Sequence, residues 1–322
     1  MRRLTHIDNA KALGMVFIVA SHIGITNNAI NNIYTLWCDI LGSFYVPLFF
    51  ILSGCFESQT YDITKLKKRI IKLIKYCVIF YTFGVIMDGI ICNHWTLTHC
   101  TSQTTIWFLF VLIWITLIVG ILKKYKFNYI IYIVLTICGI VLSYNHTSFV
   151  YLGQSCLCLP FYLFGYYSKN ILKRGKFNWL FALWSLLGWL ILFVLFYRPQ
   201  NISLNLVNQN YIAFYAEAIL GSIFVIEICK LFNNKYFSYF GSNTIVPMMI
   251  QIPIIHLLGK YYEIQTIGVY YISAIILNLL CYICIPIFRI NNMTFLNKIY
   301  ATKQQLQNSS NYSLFWQMAR MD

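Results

Sequence analysis

Acidic residues are scarce in this chain: Asp and Glu number 9 in 322 residues, and charged residues of either sign make up 10%. A water-soluble domain carries about 25% charged residues, so this sequence has too few to cover a solvated surface. Proline is also sparse, at 6, and no Pro-rich linker, low-complexity block or internal repeat divides the chain. The stretches between apolar segments are too short for a separate soluble domain, so any chemistry must be done within the apolar part. Cysteine is not rare, at 11, but it lacks a pattern. The one pair with metal-like spacing, Cys281 and Cys284, sits inside an apolar run, where packing explains it and neither a disulfide framework nor a metal site is expected. The first apolar run lacks a small-residue cleavage site and opens a series of such runs, so it is expected to stay as a helix rather than be removed.

What remains is hydrophobic: 59% of the residues, with 25 Tyr, 25 Phe and 8 Trp. This composition predicts an all-α, polytopic membrane bundle, because helices satisfy their own backbone polar groups in lipid. Ten apolar stretches can be read, near residues 10–26, 34–56, 70–92, 105–122, 128–144, 150–167, 178–197, 211–232, 239–260 and 265–288. The net charge of +15 raises the question of a nucleic-acid partner, and its distribution answers it. Lys65, Lys67, Lys68 and Arg69, then Lys123, Lys124 and Lys126, then Lys169, Lys173, Arg174 and Lys176, then Lys230 and Lys235 fall at alternate junctions between apolar stretches. That alternation is the positive-inside pattern, so the basic excess reports topology and no nucleic acid is expected. It predicts about ten spans with both termini cytoplasmic, a membrane domain over residues 1–290, and a polar cytoplasmic tail over 291–322.

Near the start, ionisable residues bracket an apolar helix: Asp8, Lys11 and His22. Eleven residues separate Lys11 from His22, which sets them about 20° apart around a helix and roughly 16 Å apart along it. Asp8 stands at i,i+3 to Lys11, the spacing that lets a carboxylate orient an ammonium. A lysine in the first turn of a membrane helix also has a plain use, snorkelling to the headgroups. An intramembrane histidine is a functional candidate by default. His22 titrates in the range a general base needs, and Lys11 with the Lys65–Lys75 run offers cations for phosphates, although the same run serves topology. Asp39, Asp88, Glu217 and Glu227 also fall in or near apolar stretches, without an assigned role.

Several motifs follow in order: Phe44-Tyr45-Val46-Pro47-Leu48-Phe49-Phe50-Ile51-Leu52-Ser53-Gly54, the basic run from Lys65, Trp107-Phe108-Leu109, Leu159-Pro160-Phe161-Tyr162-Leu163-Phe164-Gly165, and Gly241-Ser242-Asn243-Thr244. Together with Ile7-Asp8 through His22, they resemble the membrane acyltransferase-3 family, in its fucose 4-O-acetylase-like branch. The resemblance implies transfer of an acyl group, usually acetyl, from acetyl-CoA to a hydroxyl of a cell-surface polysaccharide or its precursor. It also implies a multi-pass protein of the bacterial cytoplasmic (inner) membrane, in contact with membrane lipid and a glycan or lipid-linked glycan acceptor. Carried onto this chain, the family's basic-x10-His motif falls on Lys11 and His22. Lys11 stands where many members have Arg, Tyr45 where this branch often has His, and Gln251 where a His commonly follows the Gly-x-Asn motif. The expected assignments are His22, Lys11 and Asp8 as catalytic, and Lys11, Ser53, Lys68 and Arg69 as donor-binding. Trp107, Asn243 and His256 are the expected acceptor contacts. Ser53 with Gly54 equally fits helix packing, Trp107 an interfacial belt, and His256 an aromatic packing role. A glycan transporter or flippase, or a membrane glycan polymerase, is the competing reading. Transporter folds tend to show repeat symmetry and interrupted helices at matching positions, which this sequence lacks.

Overall fold

The computed structural model describes residues 4–26, 32–92, 95, 103–125, 128–145, 149–207, 209–261 and 270–288. The polar tail read at 291–322 lies outside these residues. The described chain is helical, with one isolated bridge between Asn201 and Leu206. In order the helices are α1 (Thr5–Thr26), α2 (Asn32–Gly42), α3 (Tyr45–Cys55), α4 (Ile63–Cys92), α5 (Gln103–Leu122), α6 (Asn128–Tyr144), α7 (Leu152–Tyr167) and α8 (Lys169–Leu172). They continue as α9 (Trp179–Phe196), α10 (Tyr211–Ile228), α11 (Lys235–Ser242) and α12 (Ile245–Tyr261), then α13 (Tyr270–Phe288).

Among the described residues, six helical stretches are long and apolar enough to cross a bilayer, including Leu36–Cys55, which joins α2 to α3. A seventh candidate is the pair α11 and α12, bent by 81° at its break. Both interrupted stretches share a local cause. α3 opens Tyr45-Val46-Pro47 and α12 opens Ile245-Val246-Pro247, and a proline is accommodated best in a first turn, where its missing N–H has no helical partner to lose, although Pro160 and Pro253 lie inside α7 and α12. Other helix starts are fixed by side-chain caps. Asn178 accepts from Phe181 N at 3.2 Å, Asn210 from Ala213 N at 3.2 Å, and Asn234 from Tyr236 N at 2.9 Å and Phe237 N at 3.1 Å. Each such cap contributes about 1 kcal/mol.

α1 sits inside the bundle, in contact with α2, α3, α10, α11 and α12. Two crossings are close because glycine leaves the room. A Cβ on Gly165 of α7 would lie 1.9 Å from Ile51 O of α3, and one on Gly54 would lie 2.0 Å from Tyr162 O. A Cβ on Gly241 of α11 would fall 1.7 Å from Asp8 O, so α11 rests directly on the backbone of α1 beside Lys11. The outward faces of α6 and α9 expose Ile133, Ile137, Trp184, Ile191 and Val194. Such surfaces are costly in water and at home in lipid.

Candidate active site

The Lys11 end of α1 opens onto a basic cluster. Lys11 Nζ lies 4.0 Å from Asp8 Oδ1, as the i,i+3 spacing predicts. It also stands 4.9 Å from the centre of the Phe56 ring, and Lys173 Nζ stands 4.8 Å from the same ring. Two ammonium groups therefore share one aromatic side chain, which is 48% exposed. Lys11, Lys169 and Lys173 all act electrostatically on Cys55, so α8 and the residue after it bring two lysines to the end of α1. Beside them, Lys123 and Lys169 each lie 5.2 Å from the ring of Tyr166.

Glu57, in the turn after α3, ties this cluster to the bundle. Its carboxylate accepts from Arg69 of α4, from Lys123 after α5 and from the Tyr162 hydroxyl of α7. Lys123 donates as well to Ser58 O. Burial alone would push the Glu57 carboxyl upward, but Arg69, Lys123 and Tyr162 outweigh it and hold it below its ordinary value. Burial pulls Lys123 below its ordinary value, and Glu57 works against that shift. The two directions differ because Glu57 has three partners to offset its desolvation, whereas Lys123 shares its carboxylate with Arg69 and is repelled by it. Among the described residues, Arg69, Lys123, Lys169, Lys173 and Lys11 meet the carboxylates of Asp8 and Glu57, with Glu227 nearby already paired to Lys230, and the cluster keeps a positive excess that suits phosphate.

At the other end of α1, His22 is partly accessible and its Nδ1 is shielded from solvent. Ser21 Oγ donates to Ile18 O at 2.9 Å and lies 3.3 Å from the Tyr45 hydroxyl. Gln251 of α12, fully buried, has its side chain within interaction range of the His22 ring. Tyr270 of α13 donates its hydroxyl to Ala20 O at 2.8 Å. Tyr45 is also within electrostatic reach of Asp39, which accepts from Tyr197 OH at 2.5 Å. Two of the three positions at which this sequence departs from the pattern it resembles, Tyr45 and Gln251, therefore converge on the His22 end from helices far apart in the chain.

The remaining expected residues divide. Arg69 enters the basic cluster through Glu57, while Lys68 beside it is exposed. Ser53 is half-buried next to Gly54, the glycine at the α3–α7 crossing. Trp107 is buried on α5, edge-on to Phe108 at 6.2 Å. Asn243 sits in the bend between α11 and α12, where its Nδ2 donates to Tyr239 O at 2.7 Å, a local turn contact. His256 is exposed, five residues beyond Gln251 and so about 140° around α12 from it. The other intramembrane acids have partners of their own: Glu227 pairs with Lys230, and Glu217 is held by the Ser43 hydroxyl that also accepts from Trp189 Nε1 at 3.0 Å. Sequence reasoning missed Glu57, Phe56 and Tyr162 and read Lys123, Lys169 and Lys173 as topology alone. The one signal at Glu57 was an acid in a stretch otherwise rich in lysine and arginine.

No curated protein and no solved structure matches the chain significantly. A family profile, described as an acyltransferase domain of the acyltransferase-3 type, matches residues 4–286. That span runs from the start of α1 into the last turn of α13 and takes in both ends of the Lys11–His22 stripe. The chain belongs to the acyltransferase-3 family, and its apolar helices make it a membrane acyltransferase.

Proposed function

We propose that this protein transfers an acetyl group from cytoplasmic acetyl-CoA to a hydroxyl of a cell-surface polysaccharide or its lipid-linked precursor. The observation that carries this reading is the arrangement along α1: a phosphate-suited cationic cluster around Lys11 at one end, and His22 among polar side chains at the other. In this reading the ten apolar stretches are ten passages, with α2 plus α3 and α11 plus α12 each one broken passage. Both termini and the Lys11 end are cytoplasmic, as the basic clusters require. The membrane is the bacterial inner membrane, and the branch is the fucose 4-O-acetylase-like one.

The donor's diphosphate and its further phosphate lie against Lys11, Lys169 and Lys173, with Phe56 offering a face to the adenine. Arg69, fixed by Glu57, adds charge from α4. The long pantetheine arm then follows α1 inward, and the thioester approaches His22 across the roughly 16 Å that separates it from Lys11. His22 takes the proton from the acceptor hydroxyl as its oxygen attacks the thioester carbon. The surrounding apolar helices keep water from competing with the acceptor.

The test uses the full-length protein in lipid nanodiscs with acetyl-labelled acetyl-CoA and an envelope polysaccharide fraction from a deletion strain, which lacks the modification. Label recovered in alkali-labile O-acetyl esters supports the reading. No acetyl-CoA consumption by active, folded protein, together with glycan movement across the membrane, would support a transporter instead.

A further inference from the structure

Gln251 has no place in the chemistry above, yet it is the most anomalous polar side chain near His22. It is 0% exposed on α12, and among the described residues neither Oε1 nor Nε2 closes a hydrogen bond of regular geometry, the His22 ring being the group within reach. A carboxamide offers two donors and an acceptor, and buried amides in folded proteins almost always satisfy them. An unsatisfied one at the heart of a bundle lowers stability and persists where it is held for a ligand. The position of this one is specific. α12 packs on α1, Pro247 fixes the entry of α12, and four residues later, about one turn, the Gln251 side chain comes within range of the His22 ring.

We infer that Gln251 is a catalytic residue whose Nε2–H donates to the oxyanion formed at the thioester carbonyl. This rests on the reading of His22 as the base. The acceptor oxygen forms a bond to the carbonyl carbon while its proton passes to His22. The carbonyl π electrons move onto oxygen, giving an anion that Gln251 Nε2–H stabilises. When the tetrahedral species collapses, the C–O double bond reforms and the C–S bond breaks. The thiolate of coenzyme A takes the proton back from His22, so one ester and one free thiol leave. A neutral donor fixed in an apolar bundle is well suited to this work, because it needs no reorganisation as charge develops on the oxygen. The orphaned geometry of the resting state fits such a role, since catalytic hydrogen bonds commonly close only when the substrate is in place.

The experiment compares Gln251→Met, Gln251→Glu and His22→Gln with wild type in nanodiscs, using acetyl-CoA and the polysaccharide acceptor. Met keeps the volume and removes both polar ends, so Gln251→Met is expected to melt at or above the wild-type temperature. Its kcat should nevertheless fall about 10²-fold with an unchanged KM for acetyl-CoA. Glu keeps the shape, lacks the N–H and repels an anion, so Gln251→Glu is expected to lose at least as much. A Gln251→Met protein that keeps kcat within about threefold of wild type, or one that loses activity only in step with a lower melting temperature, overturns the assignment. If Gln251→Met stays active while His22→Gln is dead, only the Gln251 inference falls. If His22→Gln stays active, it is the base reading that falls.

Discussion

Replacing Glu57 by Gln tests how the basic cluster is held, and the structure sets the size of the effect. The Glu57 side chain is 10% exposed, Lys123 6% and Arg69 29%. Removing one partner of a buried ion pair costs about 3–5 kcal/mol, because the other charge is left uncompensated. Gln retains one acceptor oxygen for Tyr162 or Lys123, and Arg69 reaches solvent, so the lower end, about 3 kcal/mol, is expected. Lys123 sets an upper limit. Burial already pulls its ammonium below the ordinary value, and losing Glu57 removes the interaction that opposes that shift, so the cost of an unpaired buried charge is the most the change can exact. On the scale of about 2–4 °C per kcal/mol, the melting temperature of Glu57→Gln should fall by about 6–12 °C at pH 7. The effect has a definite pH dependence. Glu57 titrates below its ordinary value of 4.5 in the folded protein, so between the two values the folded state binds fewer protons than the unfolded one. Its stabilisation is therefore fully present above that ordinary value and is lost as pH falls through the folded one. Differential scanning fluorimetry of wild type and Glu57→Gln from pH 7 to 3.5 reads this directly. The gap should narrow in acid, and adding Lys123→Met to Glu57→Gln should recover much of the loss. A gap under about 2 °C at pH 7, set against the 6–12 °C expected, or one that widens in acid, would refute the account of Glu57 as the clamp of this cluster.

Three further outcomes are expected. Lys11→Ala and Lys68→Ala/Arg69→Ala should each raise the apparent KM for acetyl-CoA at equal folded amounts, with Lys11→Ala the larger effect because Lys11 shares the Phe56 ring with Lys173; unchanged KM values would leave these charges to topology. Gly165→Ala should lower the yield of folded protein and its stability by about 1–3 kcal/mol, an overpacking cost, because its Cβ would strike Ile51 O; wild-type stability would show that α3 and α7 can move apart freely. In a Cys-depleted protein, a single cysteine at residue 65 should resist impermeant maleimide in intact cells while one at residue 99 reacts, and the reverse result would invert the topology.

The helices were legible because lipid demands long apolar runs, and each stretch read from hydropathy contains a helix, six of them meeting the length and apolarity of a span among the described residues. The interruptions were not. Ser43 and Asn243 each fall inside a stretch read as one apolar run, and the prolines two residues into α3 and α12, with the Gly241–Thr244 segment, were the hints that the chain turns there. Lys11 and His22 could be paired from sequence because one helix carries both, so spacing alone fixes their geometry. Glu57 could not be understood that way, since its partners lie 12, 66 and 105 residues away. Gln251 and Tyr45 stood out in the sequence only as departures from a pattern; their convergence on the His22 end depends on how α12 and α3 pack around α1.

The central claim is that His22 removes the proton from the acceptor hydroxyl, and turnover by His22→Gln in nanodiscs tests it most directly. Gln keeps bulk and hydrogen bonding but cannot take up a proton, and loss of a positioned base costs about 10²–10⁴-fold in rate. The account predicts a folded protein that still binds acetyl-CoA and transfers acetyl groups at no more than about a hundredth of the wild-type rate, the smaller limit of that range. Turnover above about a tenth of wild type, well outside the range for base removal, would contradict it and leave His22 as a residue that orients the acceptor or packs the helix.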